Sequence, residues 1–183
     1  LLSLVGSYIN IPVVQLPGER PLAGGEVLYY GMHYALPLHD WSGTIIAVNV
    51  GGAVIPALLS LYLIARNALY LRSALAIVIV AVVCHAVAEP VQGLGIAVPL
   101  LVPLVATATV AIFLGRRDYV GPLAYISGCL GTLIGADLLN LGQVAGLGAP
   151  MVSIGGAGTF DGVFVTGLMA VLLASFAGRR SGT

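Results

Sequence analysis

Apolar residues run along this chain in long blocks, not in the short alternations of a soluble fold. The blocks predict helices that cross a bilayer. Five are long enough: 42–65 (SGTIIAVNVGGAVIPALLSLYLIA), 73–89 (SALAIVIVAVVCHAVAE), 93–115 (GLGIAVPLLVPLVATATVAIFLG), 121–145 (GPLAYISGCLGTLIGADLLNLGQVA) and 159–177 (TFDGVFVTGLMAVLLASFA). Each is near the ~17–25 residues needed to span the hydrocarbon, and 73–89 is the shortest. Ahead of them LLSLVGSYIN reads as the tail of a further helix, too short to span alone. The expected fold is an all-α membrane bundle of five full spans plus the end of a sixth at the N-terminus, forming one transmembrane domain over residues 1–183.

One sizeable polar region interrupts the pattern, the loop 11–41. Its VVQL and EVLYY runs flank a segment rich in Pro and Gly, which predicts a small β-hairpin between them. The run YYGMHYALPLHDW that follows is rich in aromatics suited to a membrane interface. The loop is expected either to cover the helix ends or to act as a lid whose His33, His39 or Asp40 reaches a site below. The Gly and Pro interruptions do not fall at matching places in two halves, so no inverted repeat is expected.

Composition changes the picture by exclusion. With 59% hydrophobic and 8% charged residues, and a mean hydropathy of +1.06, the chain has too little charge to clothe a soluble surface. No basic patch argues for nucleic acid, which leaves membrane lipid as the expected partner. The cations are all arginine. Arg66 and Arg72 flank one turn, Arg116 and Arg117 another, and Arg179 and Arg180 follow the last block. If the spans alternate, these six share one side, and the positive-inside rule makes that side, with the C-terminus, cytoplasmic. Cys84 and Cys129 lie within apolar runs and are expected to be buried free thiols, not a disulfide.

The intramembrane polar residues are more informative. At about 1.5 Å rise per residue, Asn49 lies ~26 Å above Arg66, Glu89 ~26 Å above Arg72, Asp161 ~27 Å above Arg179, and Asp137 ~24 Å above Gly121. His85 is one turn below Glu89 on the same face. Six residues, Asn49, His85, Glu89, Asp137, Asn140 and Asp161, are thus expected at nearly one level in the outer part of the membrane. Glu89 can also sit at the wet boundary, and Asp161 can be a first-turn acid capped by Thr159. Asp137 has apolar helix above and below it, the usual position of a functional intramembrane acid. Gly128, Gly131 and Gly135 form a small-residue stripe for close helix approach, with Asp137 roughly opposite and Asn140 about 60° from it. Gly155, Gly156 and Gly158 precede Asp161 and suit a flexible loop, an anion nest or a set of oxyanion donors.

Should Asp137 and Asp161 meet, they would share a proton and titrate as a pair, the arrangement with which one carboxylate activates water and its protonated partner polarises a carbonyl. GAD at 135–137 resembles the GxGD signature of the intramembrane aspartyl proteases, the presenilin and signal-peptide-peptidase group. FDG at 160–162 resembles their aromatic-Asp motif, and Pro56-Ala57-Leu58 their PAL tripeptide, although the three occur here in a different order and Ala136 replaces a glycine. The likeness implies a hydrolase acting on helical membrane-protein substrates, with Asp137 and Asp161 catalytic. Asn140 would then orient Asp137, while Asn49, Pro56 and Gly135 support the site and Pro56 shapes the cleft.

Over most of its length the chain resembles something else. NVGGAVIPALLS, GTLIGADLLNL and SIGGAGTFDGVFVTG are similar to a bacterial and archaeal membrane family classed as domain of unknown function 1614. That resemblance implies a compact helical domain in a prokaryotic cytoplasmic membrane and carries no activity. The hydrolase reading needs no cofactor. A second reading places a proton or a divalent metal such as Zn or Mn on His85, Glu89, Asp137 and Asp161, whose imidazole and carboxylates suit those ions. No HExxH run supports a zincin. A third makes the chain a non-catalytic subunit of a membrane complex, its polar layer only locking helices to partner subunits.

Overall fold

Helices follow the longer apolar runs and are interrupted by short strands and by two π-turns. In the computed structural model, which describes residues 2–17, 25–29, 32–36, 43–91, 95–99, 101–144, 149–156 and 171–172, the chain opens with helix α1 (Leu2–Gly6) and strand β1 (Asn10–Pro17). Strands β2 (Gly25–Tyr29), β3 (Met32–Leu36) and β4 (Gly43–Asn49) come next. A π-turn over Val50–Val54 then leads into α2 (Ile55–Asn67), and a tight turn into α3 (Tyr70–Val87). Strands β5 (Glu89–Val91) and β6 (Gly95–Ala97) precede α4 (Leu101–Leu114). Last come α5 (Val120–Thr132), a second π-turn (Leu133–Asp137), a 3-10 turn (Leu138–Asn140), α6 (Leu141–Val144) and β7 (Met151–Ile154).

Among the described residues, three stretches are long and apolar enough to cross a membrane: Val50–Asn67, Tyr70–Val87 and Val120–Val144. The molecule is a mostly helical membrane protein with a small β-sheet. This corrects the five-span expectation at two places. The block 42–65 begins as a strand, because Thr44, Ile45, Ile46 and Val48 are β-branched and fit a pleated surface better than a helix. The block 93–115 is helical only from Leu101, and 14 residues reach ~21 Å, short of a ~30 Å core. The block 159–177 lies outside the described residues apart from Val171 and Leu172, which are helical.

The long third span is the centre. In Val120–Val144, 67% of the most apolar window is buried, against 28% in each of the other two, so it is the helix the others surround. It packs against α2, α3 and α4. Tyr125, Cys129 and Leu133 meet Ala53 in one cluster, Ala124 meets Leu104 and Ala111 in another, and Val171 packs on both. Gly131 and Gly135 are where this span meets α3. A Cβ at Gly131 would lie 2.7 Å from the Val80 side chain, and one at Gly135 would run into the Ala81 backbone. The small-residue stripe does what its spacing predicted.

The outer region pairs differently from expectation. VVQL belongs to β1, which runs antiparallel to β4 with Asn10 opposite Asn49 and Pro17 opposite Gly43. The register slips between Pro12 and Val14, where proline has no N–H for the ladder. Gly25–Tyr29, which holds EVLY, pairs instead with Met32–Leu36 and places Leu28 opposite His33. His39 and Asp40 lie outside the described residues. β7 joins β4 in parallel, Ile45 opposite Met151 to Val48 opposite Ile154, giving the sheet order β1-β4-β7. This parallel contact returns the chain, after three long helices, to the start of the first span.

Candidate functional site

Two irregular turns sit where the sheet meets the helices. At the first, Asn49 ends β4 and caps the π-turn: its Oδ1 accepts the Gly52 N–H at 2.8 Å, and the Ile55 N–H reaches back to the Val50 carbonyl. The Asn49 amide donates to the Ser7 carbonyl at 2.7 Å and to Asn10 Oδ1 at 3.0 Å. Asn10 Oδ1 also accepts from Ser153 Oγ at 2.6 Å. One buried amide therefore joins the end of α1, β1 and the first span, and Asn10 extends the chain of bonds to β7. Pro56, in the first turn of α2, is fully buried.

At the second turn the Leu138 N–H bonds to the carbonyls of Leu133 and Ile134, widening the helix by one residue at Asp137. Such a turn shifts the face presented beyond it by about 100°, and π-turns recur at functional sites. Asn140 is buried and donates both amide hydrogens, to the carbonyls of Gly135 and Ala136 at 2.9 Å each, while its Oδ1 accepts from Gln143. These bonds support the change of winding beside Asp137. Asp137 Oδ2 accepts the Gly155 N–H at 2.6 Å, a short bond of the charge-assisted kind.

Gly155 holds φ +78°, and a Cβ there would lie 2.6 Å from the Ala53 nitrogen, so only glycine lets the connection press on the first π-turn while its N–H points at Asp137. The anion that Gly155 meets is the protein's own carboxylate, while the Gly156 N–H bonds to the Ser153 carbonyl. Beside it is a cavity of about 30 Å³ lined by Asp137, Ser153, Gly156 and the apolar Ile96, Leu141 and Val152, room for about two waters.

The level predicted for six polar residues divides. Asn49 and Asn140 are buried in bonds that hold turns, Asp137 is half-buried at the cavity, and His85 and Glu89 are exposed, the latter in β5 beyond the end of α3. Asp161 lies outside the described residues. Among those that are described, no three His, Cys, Asp or Glu side chains gather to hold a metal, so His85, Glu89 and Asp137 do not themselves form a zinc or manganese site. Cys84 and Cys129 are buried and form no disulfide, Cys84 bonding to Thr132 Oγ1 at 3.8 Å. Sequence reasoning missed Ser7, Asn10 and Ser153. Asn10 and Ser153 carried a faint signal, each a lone polar side chain at the edge of an apolar strand.

The fold and this junction define a polytopic helical membrane protein with an outer sheet that packs onto its broken spans. The family model described as "Protein of unknown function (DUF1614)" matches residues 4–173, and the chain belongs to that family. No curated protein and no solved structure matches it.

Proposed function

We propose that Asp137 is the working group of this protein, a carboxylate that takes up a proton or small cation at the seam between the central span and the outer sheet. The observation that supports this is the Gly155 N–H at 2.6 Å from Oδ2 beside a water-sized cavity. The N–H gives an ionised Oδ2 one donor from within the protein. Protonation would replace a charge-assisted bond by a neutral one, weakening the hold of the central span on Gly155 by about 1 kcal/mol. Proton uptake would thus loosen the connection that runs from β7 toward the last helix. With the arginine-rich turns cytoplasmic, the site faces outward and the C-terminus inward. Infrared difference spectroscopy on the reconstituted protein tests the idea. A carboxyl band that titrates in the wild type and is missing in Asp137→Asn is expected, and an identical titration in the variant refutes it.

The same cavity favours one second reading, a paired-aspartate hydrolase in which Asp137 and Asp161 activate a water held there. Cleavage of a helical reporter would then be lost in both Asp137→Ala and Asp161→Ala. Cleavage that persists in either variant rejects this reading and leaves the proton site standing.

A further inference from the structure

At the opposite end of the helices, the turn between α2 and α3 lies beside the turn between α4 and α5, enclosing an open cavity of about 330 Å³. Its walls carry Arg72, Arg116, Tyr119 and Asn67, with Leu71 and the backbone of Ala68 and Leu69. Ala68 adopts a left-handed conformation (φ 50°), and its N–H and that of Leu69 fold back onto the end of α2. The sharp reversal brings the first turn of α3 to the cavity wall. The first N–H groups of an 18-residue helix have no partner within it and carry the positive end of its dipole. Arg72 is half-buried there and Arg116 projects from the other turn, and among the described residues neither has a hydrogen bond or ion pair. Asp118, the acid of the second turn, is exposed and does not line the cavity.

Two guanidinium groups, a phenol and a helix start around one cavity are the chemistry that recognises phosphate. The level of the cavity identifies its source. One candidate span ends at Asn67 and the next begins at Tyr70, so the cavity sits at the lipid–water boundary. Tyr70 and Leu71 flank it, 63% and 74% exposed, apolar surface for an acyl chain beside a polar head. We propose that this cavity binds the phosphate of an anionic phospholipid headgroup. The proposal is independent of Asp137.

Arg66 supplies the control. It flanks the same turn, in the last turn of α2, but it bonds to the Tyr62 hydroxyl at 2.5 Å and does not line the cavity. The full chain would be placed in phosphatidylcholine nanodiscs with or without phosphatidylglycerol, and bound lipid measured by native mass spectrometry. The wild type should retain phosphatidylglycerol. Arg72→Ala with Arg116→Ala should weaken retention about 30-fold, from about fivefold per arginine near a membrane surface. Arg66→Ala should leave retention unchanged, and the double Lys variant should fall between. Equal loss in Arg66→Ala, or no preference for the anionic lipid, overturns the site. Inorganic phosphate binding as tightly as the lipid, and lost in the same double variant, assigns the cavity to a free anion and overturns the lipid.

Discussion

Asn49 offers the sharpest test of how the outer sheet is fastened to the bundle. It is 4% exposed and makes three hydrogen bonds: one accepted from Gly52, two donated to Ser7 and Asn10. Such bonds contribute about 1 kcal/mol each in soluble proteins and about 0.6 in membrane bundles, so Asn49→Ala should cost roughly 2–3 kcal/mol. Asn49→Asp is more discriminating. It keeps the acceptor for Gly52 but sets a second carboxyl oxygen against two acceptors, the Ser7 carbonyl and Asn10 Oδ1. Like polar ends in a buried site repel, or the acid must be protonated at a cost in free energy. Aspartate, elsewhere a good cap, should therefore destabilise at least as much as alanine. The two buried thiols, Cys84 and Cys129, give the assay: a maleimide that fluoresces on reaction reports unfolding in detergent during a denaturant titration. Asn49→Asp as stable as wild type would show that the cap alone matters and that the ties to Ser7 and Asn10 carry no energy.

Other consequences follow from the same packing. Gly135→Ala should lower stability by about 3 kcal/mol or prevent folding, because its Cβ meets the Ala81 backbone, whereas Gly142→Ala, with open space around it, should be neutral or slightly stabilising; the thiol assay compares them. Asp137→Asn should fold within about 1 kcal/mol of wild type, since the amide oxygen still accepts the Gly155 N–H, and a larger loss on denaturant titration would make the charge structural. In the folded protein neither cysteine should react with a bulky maleimide, and rapid labelling of either would contradict its burial.

The helices were legible from long apolar runs, and β-branched content alone did not separate helix from strand, since α3 contains Ile77-Val78-Ile79-Val80. ALAIVIVAVV keeps its helix because lipid and neighbouring helices satisfy nothing but a fully internally bonded backbone. TIIAVN is also apolar along most of its length but has a sheet partner on either side, and a short apolar run does not announce whether such partners exist. VVQL and EVLY both read as strands and are strands, yet their partners lie in residues 43–49 and 32–36. Strand pairing at that distance is a tertiary fact. Asp137 was visible as an acid inside an apolar span. The glycine connection was visible as a possible anion binder, but that its N–H meets Asp137 depends on β7 docking in parallel beside β4.

That docking also explains why both π-turns occur at one junction. A regular helix from Val50 onward would leave no gap for Gly155, whose backbone presses on Gly52 and Ala53. A regular helix through Asp137 would turn its carboxylate about 100° away from the connection. Each wide turn weakens its own span, and each is supported by an asparagine, Asn49 at the first and Asn140 at the second. Irregular backbone at this depth is tolerated where side chains satisfy it or where it lines a cavity, and here both conditions hold. A merely structural bundle would gain by straightening both spans. The chain instead keeps two local costs side by side, and together they set one carboxylate against a water-sized space and the Gly155 N–H.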